Sequence, residues 1–240
     1  MDTAIMRARV DHIRARIEAA KGERQDEVTL LAAVKYATAE QINALHRECG
    51  VHDVGENRVQ QLLEHYDKLE DKDGLRIHFI GSLQRNKVKY IIDKVCMIHS
   101  LDSLALAAEI ESQCIRVGRT MDVLVEINSG LEESKGGIRP DEVEDFCKEL
   151  EKFPHLCVRG FMTMAPKCEN LDEYRKYFSQ TYRQCLDIWQ KKLDNIGSME
   201  YTAHSVPVIS MGMSDSFEAA VMEGATLVRV GGAIFRDTEA

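Results

Sequence analysis

Short apolar runs alternate along the chain with longer stretches in which apolar positions recur every third or fourth residue. The first clear run, residues 28–34 (VTLLAAV), is too short for an amphipathic helix and apolar on both faces, the pattern of a strand covered on both sides. Lys35 closes it. Thr38 with Gln41 then forms a capping box that opens a helix over 39–48, ended by Gly50. Further strands are predicted at 51–54, 76–80, 95–100, 121–128, 157–165, 207–211 and 225–230. Between them lie helical patterns: Val59, Leu62, Leu63 and Tyr66 on one face; a segment bearing Lys87, Lys89 and Lys94; 104–117; Pro140 through Leu150; an aromatic stripe of Tyr174, Phe178, Tyr182, Leu186 and Trp189 over 171–193; and 216–223. Gly55-Glu56-Asn57 is expected to break the second strand, with Asn57 either capping the next helix or meeting a ligand. Asp102, Asn170 with Glu173, and Asp215 with Glu218 are expected caps. Residues 4–20 place Ile5, Val10, Ile13 and Ile17 on one face of an outer helix.

No connection is short enough for a hairpin, so the strands run parallel. Eight strands alternating with helices predict an α/β fold, a single-domain (β/α)8 TIM barrel spanning 1–240, with 1–21 as an N-terminal outer helix.

Composition narrows the partners. At 44% hydrophobic and 30% charged, with four prolines, the chain reads as one globular domain. A formal net charge of −9 argues against a nucleic-acid partner, which needs a basic face. Seven scattered cysteines without a C-x-x-C pair fit a reducing, cytoplasmic setting. The histidines form no ligand-spaced pair, and no metal site is expected. Early charges at Asp2, Arg7, Arg9 and Asp11 exclude a secretory signal, and no run is long enough to span a bilayer, so no membrane partner is expected.

The chemistry gathers at strand ends. Lys35 sits at the carboxyl end of a parallel strand among apolar neighbours, where partial desolvation would make its amine a better nucleophile toward carbonyls; the alternative is a lysine that snorkels out of the barrel mouth. Strands seven and eight end in SMGMSDSFEAA and VRVGGAIF. In such barrels these loops, with a short helix, are the usual phosphate site, and Gly231-Gly232 lets backbone N–H groups approach an anion. Closure puts strand eight beside strand one, and so the anion site beside Lys35. An amine next to a phosphate cradle suggests a Schiff-base aldolase or a pyridoxal 5′-phosphate site. Arg229, on the same face as Gly231, either reaches a pyridine nitrogen and keeps it unprotonated or pairs with a barrel carboxylate such as Glu126.

The blocks LLAAVKYATAEQI, DVGENRVQQ, HFIGSLQRNK, INSGLEESKGGI, RGFMTMAP, SMGMSDSFEAA and VRVGGAIF together resemble the pyridoxal phosphate homeostasis protein family, relatives of the N-terminal barrel of alanine racemase. The resemblance spans nearly the whole chain. It implies pyridoxal phosphate in Schiff-base linkage with Lys35, its phosphate against Ser210, Gly231 and Gly232, its pyridine nitrogen near Arg229 and its ring near Asn57. It also matches Lys135 to a lysine with a role in cofactor transfer or secondary binding. Two positions depart from the family: Gly232 stands where threonine or serine is common, removing a hydroxyl contact to the phosphate, and Gln60-Gln61 stands where Gln-Glu is common. Neither is expected to touch Lys35.

The resemblance implies a protein that binds, buffers and delivers the cofactor, with apoenzymes that need it as recipients, rather than an enzyme. Alanine racemase relies on a second domain and a tyrosine supplied to its partner's site, for which this chain leaves no room. Two other readings stay open. A small pyridoxal-phosphate racemase would need a tyrosine or second lysine on the ring face opposite Lys35, where Tyr36 is too near along the strand. A cofactor-free aldolase would need a carboxylate beside Lys35, for which Glu126 is the candidate.

Overall fold

The computed structural model describes residues 2–132, 136–195 and 206–236, with side chains to Lys191 in the second segment. Eight parallel strands close a barrel in chain order: β1 (Thr29–Ala33), β2 (Asp53–Glu56), β3 (Arg76–Phe79), β4 (Met97–Leu101), β5 (Met121–Ile127), β6 (Leu156–Thr163), β7 (Val208–Ser210) and β8 (Leu227–Val230). β8 returns to β1 with Leu31 opposite Arg229, and β1 pairs onward with β2 through Ala33 and Gly55.

Helix α1 (Thr3–Lys21) precedes the barrel, and α2 (Ala39–Cys49), α3 (Val59–Tyr66), α4 (Val88–Ile91), α5 (Leu104–Val117), α6 (Val143–Leu150), α7 (Leu171–Asn195), α8 (Phe217–Met222) and α9 (Gly232–Phe235) follow the strands in turn. The capping box of α2 is formed, with Thr38 Oγ1 accepting from Gln41 N and Thr38 N donating to Gln41 Oε1, and Gly50 ends the helix in the left-handed region. Strand residues such as Val54, Ile77, Ile98 and Val123 pack outward against Leu45, Leu62, Ile91 and Ile110 of the helices in one continuous apolar layer.

α1 lies across the seam where the barrel closes, packed on α2, α8 and α9. It buries Met6, Val10, Ile13, Ile17 and Ala20, each large side chain contributing about 1.5–3 kcal/mol. Ile5, expected on that face, is exposed because the buried stripe passes through Met6. Arginines of α1 complete the seam: Arg9 Nη1 donates to Ile234 O at 2.9 Å, Arg14 Nη1 to Cys49 O at 2.8 Å, and Arg16 Nη2 pairs with Glu218 Oε2 at 2.6 Å.

Several expected boundaries move for local reasons. β2 does not break at Gly55-Glu56 but runs through both; a Cβ on Gly55 would collide with Leu31, so this glycine answers to packing rather than to a turn. α3 begins after Arg58 without a side-chain cap, so Asn57 does not cap it. Ser103, not Asp102, caps α5, accepting from Leu106 N at 3.3 Å. α8 lacks the Asp215–Glu218 cap because Glu218 turns outward to Arg16, and Ser216 stands at the cap position. Asn170 does accept from Glu173 N, at 3.0 Å. On α7 Leu186 is exposed, and Cys185 and Ile188 join Phe178 and Trp189 on the buried face. No helix among the described residues is long and apolar enough to cross a membrane, and none of the seven cysteines is in a disulfide.

Candidate functional site

β1 stops at Ala33, Val34 is buried, and Lys35 begins the turn that leads to the Thr38 cap. Lys35 is therefore exposed at the mouth, not held among apolar neighbours as its sequence context suggested. Its Nζ rests 4.8 Å from the centre of the Tyr36 ring, and the Arg236 guanidinium stacks on that ring at 4.7 Å while donating to Tyr36 OH at 2.7 Å. The Arg236 bond, then the one from Lys35, holds the Tyr36 phenol below its ordinary pKa. Gln61 Nε2 donates to the Lys35 carbonyl at 3.1 Å. One of the two family departures thus does touch the lysine's backbone.

The glycine pair stands where expected. Gly231 packs so closely on β1 that a Cβ would lie 2.5 Å from Ala33 O, which ties the loop after β8 to the strand that carries Lys35. Gly232 opens α9, and Ser214 Oγ accepts from Ala233 N at 3.3 Å. A side-chain hydroxyl therefore sits beside the pair although position 232 has none. Asn57 follows β2 and its Oδ1 is buried with no hydrogen-bond partner. Because β8, β1 and β2 adjoin, the structure brings Arg229, Gly231, Gly232, Lys35 and Asn57 to one side of the mouth.

Ser210 is not at that surface. It is fully buried at the end of β7, and its Oγ takes Arg229 Nη1 at 2.7 Å and faces His99 Nδ1 at 3.1 Å. Arg229, 5% exposed, also donates to Ser210 O at 2.7 Å and Thr163 O at 2.9 Å. It makes no ion pair with Glu126. Burial lowers its pKa to about 10, with the nearby Glu126 charge opposing. Arg229 also borders a cavity of about 560 Å³ lined by Met164, Gly212, Met213 and Ser216.

Glu126 lies on β5, four strands from β1 in either direction, so it does not stand beside Lys35 as an aldolase base would. Burial, then the charge of Asp102, pushes its carboxyl up to about 7, with Arg229 opposing. Lys135 lies outside the described residues. Among the described residues no three His, Cys, Asp or Glu side chains could hold a metal ion.

Ser214, Arg236 and the buried His78 and His99 were not marked by the sequence pattern, and neither was the contact of Gln61 with the Lys35 carbonyl. The histidines had a usable signal: RIHF and MIHS each place one as the third residue of an otherwise largely apolar strand, on adjacent strands.

Residues 8–239 match the alanine racemase N-terminal domain family. A pyridoxal phosphate homeostasis protein of Aquifex aeolicus is 41% identical over 214 residues, 89% of each chain. The solved structure of PipY from Synechococcus elongatus with PLP bound is 27% identical, with a TM-score of 0.77 over 92% of this chain and 99% of that one. An alanine racemase of Clostridium difficile shares the fold at 17% identity, with a TM-score of 0.70 over 96% of this chain but 58% of its own. The barrel described above and these matches together show that the chain belongs to the alanine racemase N-terminal domain family, among the pyridoxal phosphate homeostasis proteins.

Proposed function

We propose that this chain binds pyridoxal 5′-phosphate at the C-terminal mouth of its barrel, covalently through Lys35, and holds and delivers the cofactor in a reducing cytosol without turning over a substrate. The observation that supports the reading is the close packing of Gly231 on Ala33, two residues before Lys35, which joins the loop after β8 to the start of the lysine's turn. Bound there, the cofactor supplies an aldehyde open to reversible attack by an amine and a phosphate that anchors it.

The residues fit such a group. Asn57 Oδ1 is a buried acceptor left without a donor, which costs about 1–3 kcal/mol until something supplies one. Arg229 gives Nη1 to Ser210 and Nη2 to Thr163, which fixes the plane of a guanidinium whose remaining N–H groups can donate to a ring nitrogen. Gly231, Gly232 and Ser214 hold the phosphate; Ser210, committed below, holds Arg229 instead. The exposure of Lys35 favours exchange: solvent and free amines reach the linkage, as a carrier requires, and the adjacent tyrosine is already bound by Arg236. PipY with PLP bound, at 27% identity over most of both chains, supports the reading.

A second reading, a small pyridoxal-phosphate racemase, is favoured by Glu126, a buried carboxyl poised near 7 on the Arg229 side. One experiment separates binding from its absence: absorbance of the purified protein between roughly 300 and 500 nm before and after borohydride, then mass analysis of the reduced protein. A bleachable band and a pyridoxyl phosphate adduct on the Lys35 peptide are expected. No band after incubation with the cofactor overturns the proposal. Solvent deuterium entering the α-carbon of an added amino acid would favour the racemase.

A further inference from the structure

A line of buried polar side chains crosses the barrel from Arg229 to the opposite mouth. Arg229 Nη1 meets Ser210 Oγ at 2.7 Å, Ser210 Oγ meets His99 Nδ1 at 3.1 Å, His99 Nε2 meets His78 Nδ1 at 2.9 Å, and His78 Nε2 meets Asp53 Oδ1 at 3.0 Å. Asp53 is also gripped by both prongs of Arg76, with Arg76 Nε at 2.7 Å, beside a second cavity of about 470 Å³. Branched apolar residues ordinarily fill such an interior. A polar line survives there only if each member is paired, since an unpaired one costs about 1–3 kcal/mol.

The two ends fix the direction of the hydrogens. A guanidinium can only donate and an ionised carboxylate can only accept. Burial pushes the Asp53 carboxyl up, but the bonds from His78 and Arg76 outweigh it and hold the group below its ordinary pKa. Burial above all holds the His99 pKa well below the ordinary imidazole value, with the Arg229 guanidinium acting in the same direction, so the ring is neutral. A neutral His99 has one ring proton. Placed on Nε2, it donates to His78 Nδ1, His78 donates from Nε2 to Asp53, and Ser210 donates its hydroxyl proton to His99 Nδ1 while accepting from Arg229. Every contact in the line is then one donor meeting one acceptor.

We infer that Asp53, His78, His99 and Ser210 form a positioning chain for Arg229, with all hydrogens pointing from the guanidinium toward Asp53, so that a carboxylate at the far mouth governs how firmly Arg229 is presented to the bound ring. The effect on the cofactor rests on the proposed function; the polarity of the line does not. The four are positioning residues, acting on the bound ring only through Arg229.

Two measurements test it on the full chain. Long-range nitrogen–proton NMR of the ligand-free protein should find both His78 and His99 as neutral Nε2–H tautomers, and a proton on Nδ1 of either overturns the polarity. Pyridoxal phosphate affinity is then measured for wild type, Asp53→Asn, Arg229→Gln and the double variant. Asp53→Asn should weaken binding about tenfold when Arg229 is present and add nothing when it is replaced. Equal weakening in both backgrounds, or none in either, overturns the coupling. Should Asp53→Asn fail to fold, Ser210→Ala takes its place in the cycle with the same expectation. A wild-type chain that binds no pyridoxal phosphate overturns the proposed function and the coupling with it, while the tautomers still decide the polarity.

Discussion

The Lys35 ammonium rests on the face of Tyr36, 4.8 Å from the ring centre, and the Arg236 guanidinium stacks on the same ring at 4.7 Å. The amine is thus parked on an exposed aromatic surface rather than packed into the barrel. Lys35→Ala removes a side chain that supports no core contact, so thermal stability should stay within about 0.5 kcal/mol of wild type while the borohydride-sensitive band disappears. Melting curves and absorbance on the same sample check both halves.

Gln61 holds the Lys35 carbonyl with a donor that glutamate lacks. Gln61→Glu replaces that donor with a second acceptor and loosens the turn carrying the amine. We expect pyridoxal phosphate affinity to fall by about threefold to tenfold, the worth of one hydrogen bond, with the barrel's melting temperature little changed. Equilibrium titration followed by absorbance measures it.

Glu126 carries a pH signature. Its carboxyl is pushed from an ordinary 4.5 to about 7, so the folded state holds this proton more tightly than the unfolded chain. Stability from this group is full below the ordinary value and is lost as pH rises through about 7, by up to about 3 kcal/mol. Glu126→Gln should flatten that slope and be the more stable protein above neutrality. Denaturant titrations across the window test the sign.

His65, half-buried, pairs with the buried Glu56, Nδ1 to Oε1 at 2.6 Å, between α3 and the end of β2. The bond to Glu56 raises the His65 pKa against the opposing effect of burial. The pair's contribution is full below the ordinary imidazole value and fades as pH rises through the raised one. Glu56 Oε2 has no partner, so His65→Leu strands a buried carboxylate and should cost about 3–5 kcal/mol. Replacing both by leucine should recover most of that loss, as unfolding curves of the single and double variants will show.

The alternation of apolar runs and helical stripes was enough to give eight strands, because each strand rests on local periodicity; their count favoured a closed barrel, but the closure of β8 on β1 is a long-range pairing that only the structure shows. It also placed Lys35, Arg229 and the glycine pair. What it missed lies where side chains meet across strands. Nothing local distinguishes Ser210, buried under Arg229, from Ser214 beside Gly232; only the direction of each hydroxyl in the closed barrel does. The same holds for Lys35, whose exposure depends on the strand ending two residues before it, at Ala33. His78 and His99 went unmarked because their partners, Asp53 and Ser210, come from other strands. An Arg229→Glu substitution, attractive if the residue met only a ring nitrogen, would turn a carboxylate onto the Ser210 and Thr163 carbonyls.

Tyr36 and Arg236, which clasp across the mouth, are 200 residues apart in sequence. The amine-bearing turn and the glycine loop therefore come from opposite ends of the order in which a ribosome makes this barrel, and they meet only when β8 docks on β1 under α1. A nascent chain short of its last strand carries Lys35 but not the glycine pair proposed to hold the phosphate. On the proposed function, the cofactor site is complete only once β8 has docked on β1.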